Sequence, residues 1–536
     1  MADPLVLQLE QLRVLYPGAE TPTLHNFSLS LAAGERLALV GPSGCGKSTV
    51  ARAVLQLLPP GSRCSGELRL CGEDPRRLKR SALRRLRGEA VGLVFQDPMT
   101  RLNPLMTIGD HLADTLSEHR PGWERRQIHE RAESLLQRVG ISRDRYSSYP
   151  HEFSGGMRQR LAIALAMALK PALVIADEPT TSLDVAVAGQ VMAELCELCG
   201  ETGSALLLIS HDLAMAGRWC QQIAVLDRGA LVEQAEATRL LTAPQSDLAK
   251  RLVGAARARE GSTTPPPANA APLLELQELR CWHPLPGLPW QQRWYRAVDG
   301  VSLQLRHGET IGVVGASGCG KSTLCRALMG LAPVRGGSVV LQGQNLMQLR
   351  GEALQRARRR IQMVFQDPLA CLNPAMRVGE AIADPLLIHG LASPAAARER
   401  AREWLSAVGL NPPEAFENRL PRQLSGGQQQ RVAIARALVL DPQVLLCDES
   451  VSMLDAEVQA EVLQLLRDLQ ERLGLGLIFV THDLSVASGF CQRVIVLDGG
   501  RIVEEGPGDQ LLSHPQAAIT RTLVEACPRL PAAAAA

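Results

Sequence analysis

Residues 26–31 read NFSLSL, where Phe27, Leu29 and Leu31 alternate with polar neighbours at the period of a half-buried strand. RLALVG, 36–41, is a continuous apolar run that ends on glycine, and Val50, Val54, Leu57 and Leu58 then recur at helical spacing. A polar helical stretch fills the middle of this half of the chain. Two further apolar runs follow, LVIADE at 173–178 and LLLISHD at 206–212, and each ends in charge. Strands separated by helices predict an α/β fold with a mainly parallel sheet. Charged residues at strand carboxyl ends lie where open sheets of this kind place their ligands.

The order is then repeated. YPHEFSGGMRQRLAIALAMAL at 149–169 returns as LPRQLSGGQQQRVAIARALVL at 420–440, and TIGVVG at 310–315 leads into a second glycine loop. Ser154, Asp177, Glu178, Asp184 and His211 correspond to Ser425, Asp448, Glu449, Asp455 and His482 at a constant offset of 271 residues. So long a period predicts a duplicated domain, not a solenoid. The stretch AREGSTTPPPANAAP, 258–272, has no apolar period and reads as an extended linker. The expected layout is a first domain over 1–255, a linker over 256–272 and a second domain over 273–530.

At 536 residues the chain is too long for one core, which agrees with duplication. Its 57 basic and 55 acidic residues leave a net charge of +2, so there is no global field for nucleic acid. Two local basic runs, RRLKRSALRRLR at 76–87 and RARRR at 356–360, read first as solvated helix faces, with a polyanion contact as the alternative. The 13 cysteines form no disulfide framework, and the single C-x-x-C, Cys196 and Cys199, reads as helix packing. The opening MADPLVLQLE is not a secretory signal, no run of 18 apolar residues predicts a membrane span, and the implied compartment is the reducing cytosol. The final alanines are expected to be a disordered tail.

The strongest chemistry lies in GPSGCGKST, 41–49, and GASGCGKST, 315–323. Only five of the 57 basic residues are lysines, and two of those five are Lys47 and Lys321. Each motif follows an apolar strand and opens a helix, the context of a phosphate cradle. Gly41, Gly44 and Gly46 let the backbone wrap an anion, Lys47 reaches the β- and γ-phosphates, and Ser48 offers an oxygen to Mg²⁺; Gly315, Gly318, Gly320, Lys321 and Ser322 repeat the set. Ser43, Cys45, Thr49, Ser317, Cys319 and Thr323 complete the two loops. Asp177 and Asp448 are placed to orient Mg²⁺ through water, and Glu178 and Glu449 to polarise the attacking water.

FSGGMRQR and LSGGQQQR resemble the signature sequence of ABC ATPases, and with the loops, acids, Gln96, Gln366, the SLD and MLD motifs and the two histidines, each half is similar to a complete nucleotide-binding domain of that family. The resemblance implies P-loop NTPase domains, each with a mainly parallel core, a small antiparallel β part and a helical subdomain. It further implies two ATPs held head to tail. Lys47 would share a nucleotide with Ser425, Gly426 and Gly427, and Lys321 with Ser154, Gly155 and Gly156. His211 and His482 would hold the γ-phosphate, Asp184 and Asp455 would couple the sites, and Gln96 and Gln366 would join the Mg²⁺ ligands Ser48, Asp177, Ser322 and Asp448, some through water. Tyr16 would stack on adenine; the matching position holds His283, with Trp282 beside it, and departs from the pattern.

FQDPMTRLNP at 95–104 and FQDPLACLNP at 365–374 resemble the dipeptide, oligopeptide and nickel branch of bacterial importers, as does the aromatic and proline-rich insertion at 281–303. This implies two transmembrane permease subunits as partners, a solute-binding protein beyond them, and a place on the cytoplasmic face of the inner membrane. The cysteine cluster of some oligopeptide importers is absent, and the DESVS and AITRTLV wording leans toward nickel and metallophore members. A tandem ABC ATPase acting on ribosomes or DNA is the competing reading. The short proline-rich join and the lack of inserted zinc cysteine pairs disfavour it.

Overall fold

The computed structural model describes residues 4–98, 101–181, 183–258, 272–285, 293–452 and 454–531. Residues 259–271 of the expected linker, 286–292 of the insertion, the alanines at 532–536, Ser182 and Met453 lie outside the described residues. The chain divides into two compact units, the first built mainly from residues up to Ala256 and the second mainly from Arg257 to Cys527, with Asp184–Ala186 grouped with the second.

In the first unit the strand Arg36–Val40 lies between Ala205–Ser210 and Gln222–Asp227 in a six-stranded sheet, with Leu173–Asp177 and Val91–Val94 beyond the former and Ala230–Glu236 beyond the latter. All neighbours are parallel except the last pair. After Arg36 the central strand is apolar and buried from Leu37 to Val40, because both of its faces are covered. Ala38 and Val40 enter one core, with the helices Ile108–His119, Gly155–Met167 and Val185–Thr202. Leu37 and Leu39 enter another, against the helix Lys47–Val54 and a three-stranded antiparallel sheet formed by Leu24–Ala32, Leu5–Leu15 and Arg63–Leu70.

The second unit has the same plan. Thr310–Val314 is flanked by Gly476–Val480 and Arg493–Asp498 in a six-stranded sheet, and Trp294–Arg306, Pro272–Pro284, Val334–Leu341 and Gln344–Asn345 form the antiparallel sheet. The expected parallel core, antiparallel part and helical region are therefore present in each unit.

One element is shorter than its apolar spacing predicts. The helix after the first glycine loop ends at Val54, Gln56 turns to a φ of 52°, and Leu57 is left 43% exposed instead of extending the buried stripe. The Cys196/Cys199 reading as packing fits what is seen: both thiols are buried in the helix Val185–Thr202, and burial pushes Cys199 up to about 12.

Candidate functional site

Parallel pairing brings the ends of three strands to one edge, with Val40 level with Ser210 and Asp177 level with Ile209. The glycine loop, the two acids and His211 follow from those ends and so meet there. Gly41 must be glycine for a steric reason, since a Cβ would lie 2.2 Å from the Leu226 carbonyl oxygen; Gly315 faces Leu497 in the same way, also at 2.2 Å.

Lys47 is 7% exposed and opens the helix. Its Nζ donates to the carbonyls of Gly41 at 2.7 Å and Pro42 at 3.0 Å. Lys321 donates to Gly315 at 2.8 Å and Ala316 at 3.0 Å. Both ammonium groups are thus tied across the loop that they would serve. Ser43, Gly44, Ser317 and Gly318 are exposed at the loop surface, while Cys45, Gly46, Cys319 and Gly320 are buried beneath it. Burial pushes both thiols up, and the neighbouring lysine charge opposes this without cancelling it.

Ser48 Oγ donates to Asp177 Oδ1 at 3.1 Å, and Ser322 Oγ to Asp448 Oδ1 at 3.1 Å. A hydroxyl and a carboxylate held this close are hard oxygen donors of the type Mg²⁺ takes. Burial raises the pKa of both aspartates, with the serine hydrogen bond acting against it. A divalent cation at this point would offset that burial.

The glutamates follow with a reversal of backbone direction. Glu178 and Glu449 adopt φ of 47° and 48°, the left-handed region that a non-glycine residue rarely enters. Their N–H groups donate to the carbonyls of Ile209 at 2.9 Å and Val480 at 3.0 Å, which fixes the turn. Glu178 Oε2 then accepts from Gln96 Nε2 at 3.0 Å and Thr181 Oγ1 at 3.1 Å, with His211 Nδ1 at 3.5 Å. Glu449 Oε2 accepts from Gln366 Nε2 at 2.9 Å, with His482 Nδ1 at 3.7 Å. Burial drives both glutamates up, but the adjacent histidine outweighs it and each sits below the ordinary carboxylate value. Burial likewise lowers the histidines, and the glutamates outweigh it, so both are raised.

A hydroxyl three residues after the glutamate is used differently in the two centres. Thr181 donates to the Glu178 carboxylate, whereas Ser452 at the corresponding place donates to the backbone carbonyl of Glu449 at 2.9 Å.

The signature residues stand at helix starts and not in these clusters. Ser154 caps Gly155–Met167, accepting from the Met157 N–H at 3.4 Å, and Ser425 caps Gly426–Leu438, accepting from Gln428 at 3.3 Å. Gln428 completes a reciprocal capping box that Met157 cannot form. Gly156 and Gly427 each pack on a valine, with Val187 Cγ1 and Val458 Cγ1 2.4 Å from where a Cβ would stand. Asp455 caps Ala456–Leu473 through the Val458 N–H at 3.0 Å, and Asp184 directly precedes the helix Val185–Thr202.

Tyr16 lies beside the first loop, with its hydroxyl 3.1 Å from Thr49 Oγ1. In the second unit the aromatic on the loop is not His283 but Tyr295, whose hydroxyl donates to the Gly318 carbonyl. Tyr295 pairs with His283 across the two antiparallel strands and is 46% exposed. The hairpin moves the aromatic onto the neighbouring strand. The sequence signal for it was the tyrosine two residues before AVDGVS, hidden because residue matching follows one strand at a time.

An ABC transporter family profile matches residues 24–181 and 298–452. The chain is 38% identical to the glutathione import ATP-binding protein GsiA of Pectobacterium atrosepticum, over 98% of this chain and 90% of that one. It is 40% identical to the peptidoglycan transport ATP-binding protein YejF of Agrobacterium fabrum, over 95% and 93%. It is also 40% identical to the uncharacterized ABC transporter ATP-binding protein YejF of Escherichia coli, over 97% and 99%.

Proposed function

Because this chain belongs to the ABC transporter family, we propose that it is the ATP-hydrolysing subunit of a bacterial importer for peptides or peptide-like small solutes. One observation supports the catalytic part most directly. In each unit a loop lysine, a serine–aspartate pair and a glutamate bonded to glutamine and facing histidine converge at one sheet edge. The named relatives favour peptide-like cargo over the nickel and metallophore lean of the DESVS wording.

In this reading, Lys47 and Lys321 bind the β- and γ-phosphates, and the loop N–H groups stabilise the charge that gathers there. Ser48, Asp177, Ser322 and Asp448 hold Mg²⁺, with Gln96 and Gln366 adjoining. When bound, the ion neutralises charge on the phosphate oxygens. Glu178 and Glu449 accept the proton of the attacking water, and their lowered pKa keeps them ionised for that role. His211 and His482 hold that carboxylate and present their other ring nitrogen to the γ-phosphate. Tyr16 and Tyr295 flank adenine. On the family resemblance alone, the signature of each half serves the nucleotide of the other.

Among the described residues no helix is long and apolar enough to cross a membrane. The transport path then belongs to two permease subunits, with this chain peripheral on the cytoplasmic face of the inner membrane and a solute-binding protein delivering cargo. Reconstitution with the permeases tests this. ATP-dependent uptake, with turnover raised by a loaded binding protein, is the expected result. ATPase activity stimulated by ribosomes or nucleic acid, without association with permeases, would overturn it.

A further inference from the structure

In the first basic run the fold sets four arginines against acids and leaves the side chains of Lys79 and Arg80 without a hydrogen bond or ion pair among the described residues, whereas in the second run no arginine meets an acid. In the first unit Arg76 and Arg77 face Asp74, Arg84 faces Glu118 and Arg85 faces Glu89. Arg87 turns to the carbonyls of Leu55 and Gln56. In the second unit, Gly351–Arg359 and the residue after it carry Arg356, Arg358, Arg359 and Arg360 against one acid, Glu352. Arg358 and Arg360 find only neutral oxygens, the Gly330 carbonyl at 3.3 Å and Gln443 Oε1 at 2.8 Å. Arg356 and Arg359 have no hydrogen bond or ion pair among the described residues.

Arg356, Arg359 and Arg360 border a cavity of about 530 Å³ whose other walls include Leu349, Leu391 and Leu440, and no acidic residue lines it. Their spacing of three and four residues puts the guanidinium groups on one helix face, where like charges repel. An anion between them would remove that repulsion. The planar fork of arginine matches the oxygens of a phosphate two at a time, and the volume falls within the range of small-molecule sites. We propose that this cavity is a phosphate-binding site, sharing no residue with the glycine loops, for a small phosphorylated molecule or a phospholipid headgroup.

The test uses the full chain with both nucleotide sites saturated by MgADP. Pyrophosphate binding is measured by calorimetry, and sedimentation is measured with phosphatidylcholine vesicles with and without phosphatidylglycerol. Two variants of equal charge loss are compared, Arg356→Gln with Arg359→Gln, and Arg84→Gln with Arg85→Gln. ATPase activity and circular dichroism confirm that each is folded. Loss of two charge-assisted contacts should weaken binding by about tenfold or more in the first variant. The second should match the wild type. Saturable pyrophosphate binding without vesicle binding identifies a soluble ligand, and binding that requires phosphatidylglycerol identifies a headgroup. Binding of neither probe, or the same response in both variants, overturns the site.

Discussion

Lysine is rare in this chain, and its use in both glycine loops has a geometric reason. The Lys47 ammonium is buried between two carbonyls of one tight turn, at 2.7 and 3.0 Å. A point charge with rotatable donors fits there, while a planar guanidinium does not. Lys47→Arg should keep the charge yet lose about tenfold or more in ATP affinity at that site, the scale of a misplaced charge-assisted bond, as read by fluorescent-nucleotide titration. The glutamate–histidine pairs give a pH prediction. Glu178 is lowered and His211 raised, so the charged pair exists between those two values and is lost as pH falls through the first or rises through the second. His211→Gln, made with Glu449→Gln so that one centre is read, should move the acid limb of ATPase activity to higher pH. An unmoved limb would deny the coupling. The loop cysteines are raised, so a bulky thiol reagent should label Cys45 and Cys319 faster as pH rises. ATP should protect, and labelled protein should lose nucleotide binding. The lysines, acids and histidines were legible because each sits in a short contiguous motif at the end of an apolar run. Tyr295 was not, because its place depends on pairing across a hairpin, and the Thr181 hydroxyl was not, because its direction depends on a backbone turn.

At the scale of elements, burial on both faces explains the unbroken apolar strands. Leu39 is fully buried at the sheet centre, whereas Leu57 lies beyond the helix end and is 43% exposed. Leu39→Ala should cost about 2–5 kcal/mol in unfolding free energy, and Leu57→Ala no more than about 0.5 kcal/mol, both by denaturant titration. Helical spacing alone placed Leu57 in the core, because periodicity does not record where a helix stops. The signature helices depend on missing side chains. Gly156→Ala would set a methyl 2.4 Å from Val187 Cγ1, so the Val187 side chain or the helix Val185–Thr202 that carries it would have to shift. The expected result is about 1–3 kcal/mol of destabilisation, relieved when Val187→Ala is added. The sequence marked this glycine as part of a motif; its packing against a valine became visible only in the fold.

At the scale of the molecule, duplication was the most legible feature, since a constant offset survives wherever the fold does. The core order and the site edge followed from it. Cargo was not legible, because an ATPase subunit that powers a permease does not touch the solute. The central claim is that both units hydrolyse ATP, each through the glutamate at its strand end. It is tested most directly by phosphate release and ATP binding in Glu178→Gln, Glu449→Gln and the double variant. The double variant should still bind ATP while turnover falls by about 10²–10⁴-fold, the usual worth of a general base. Turnover in the double variant equal to that of the unaltered chain would contradict it.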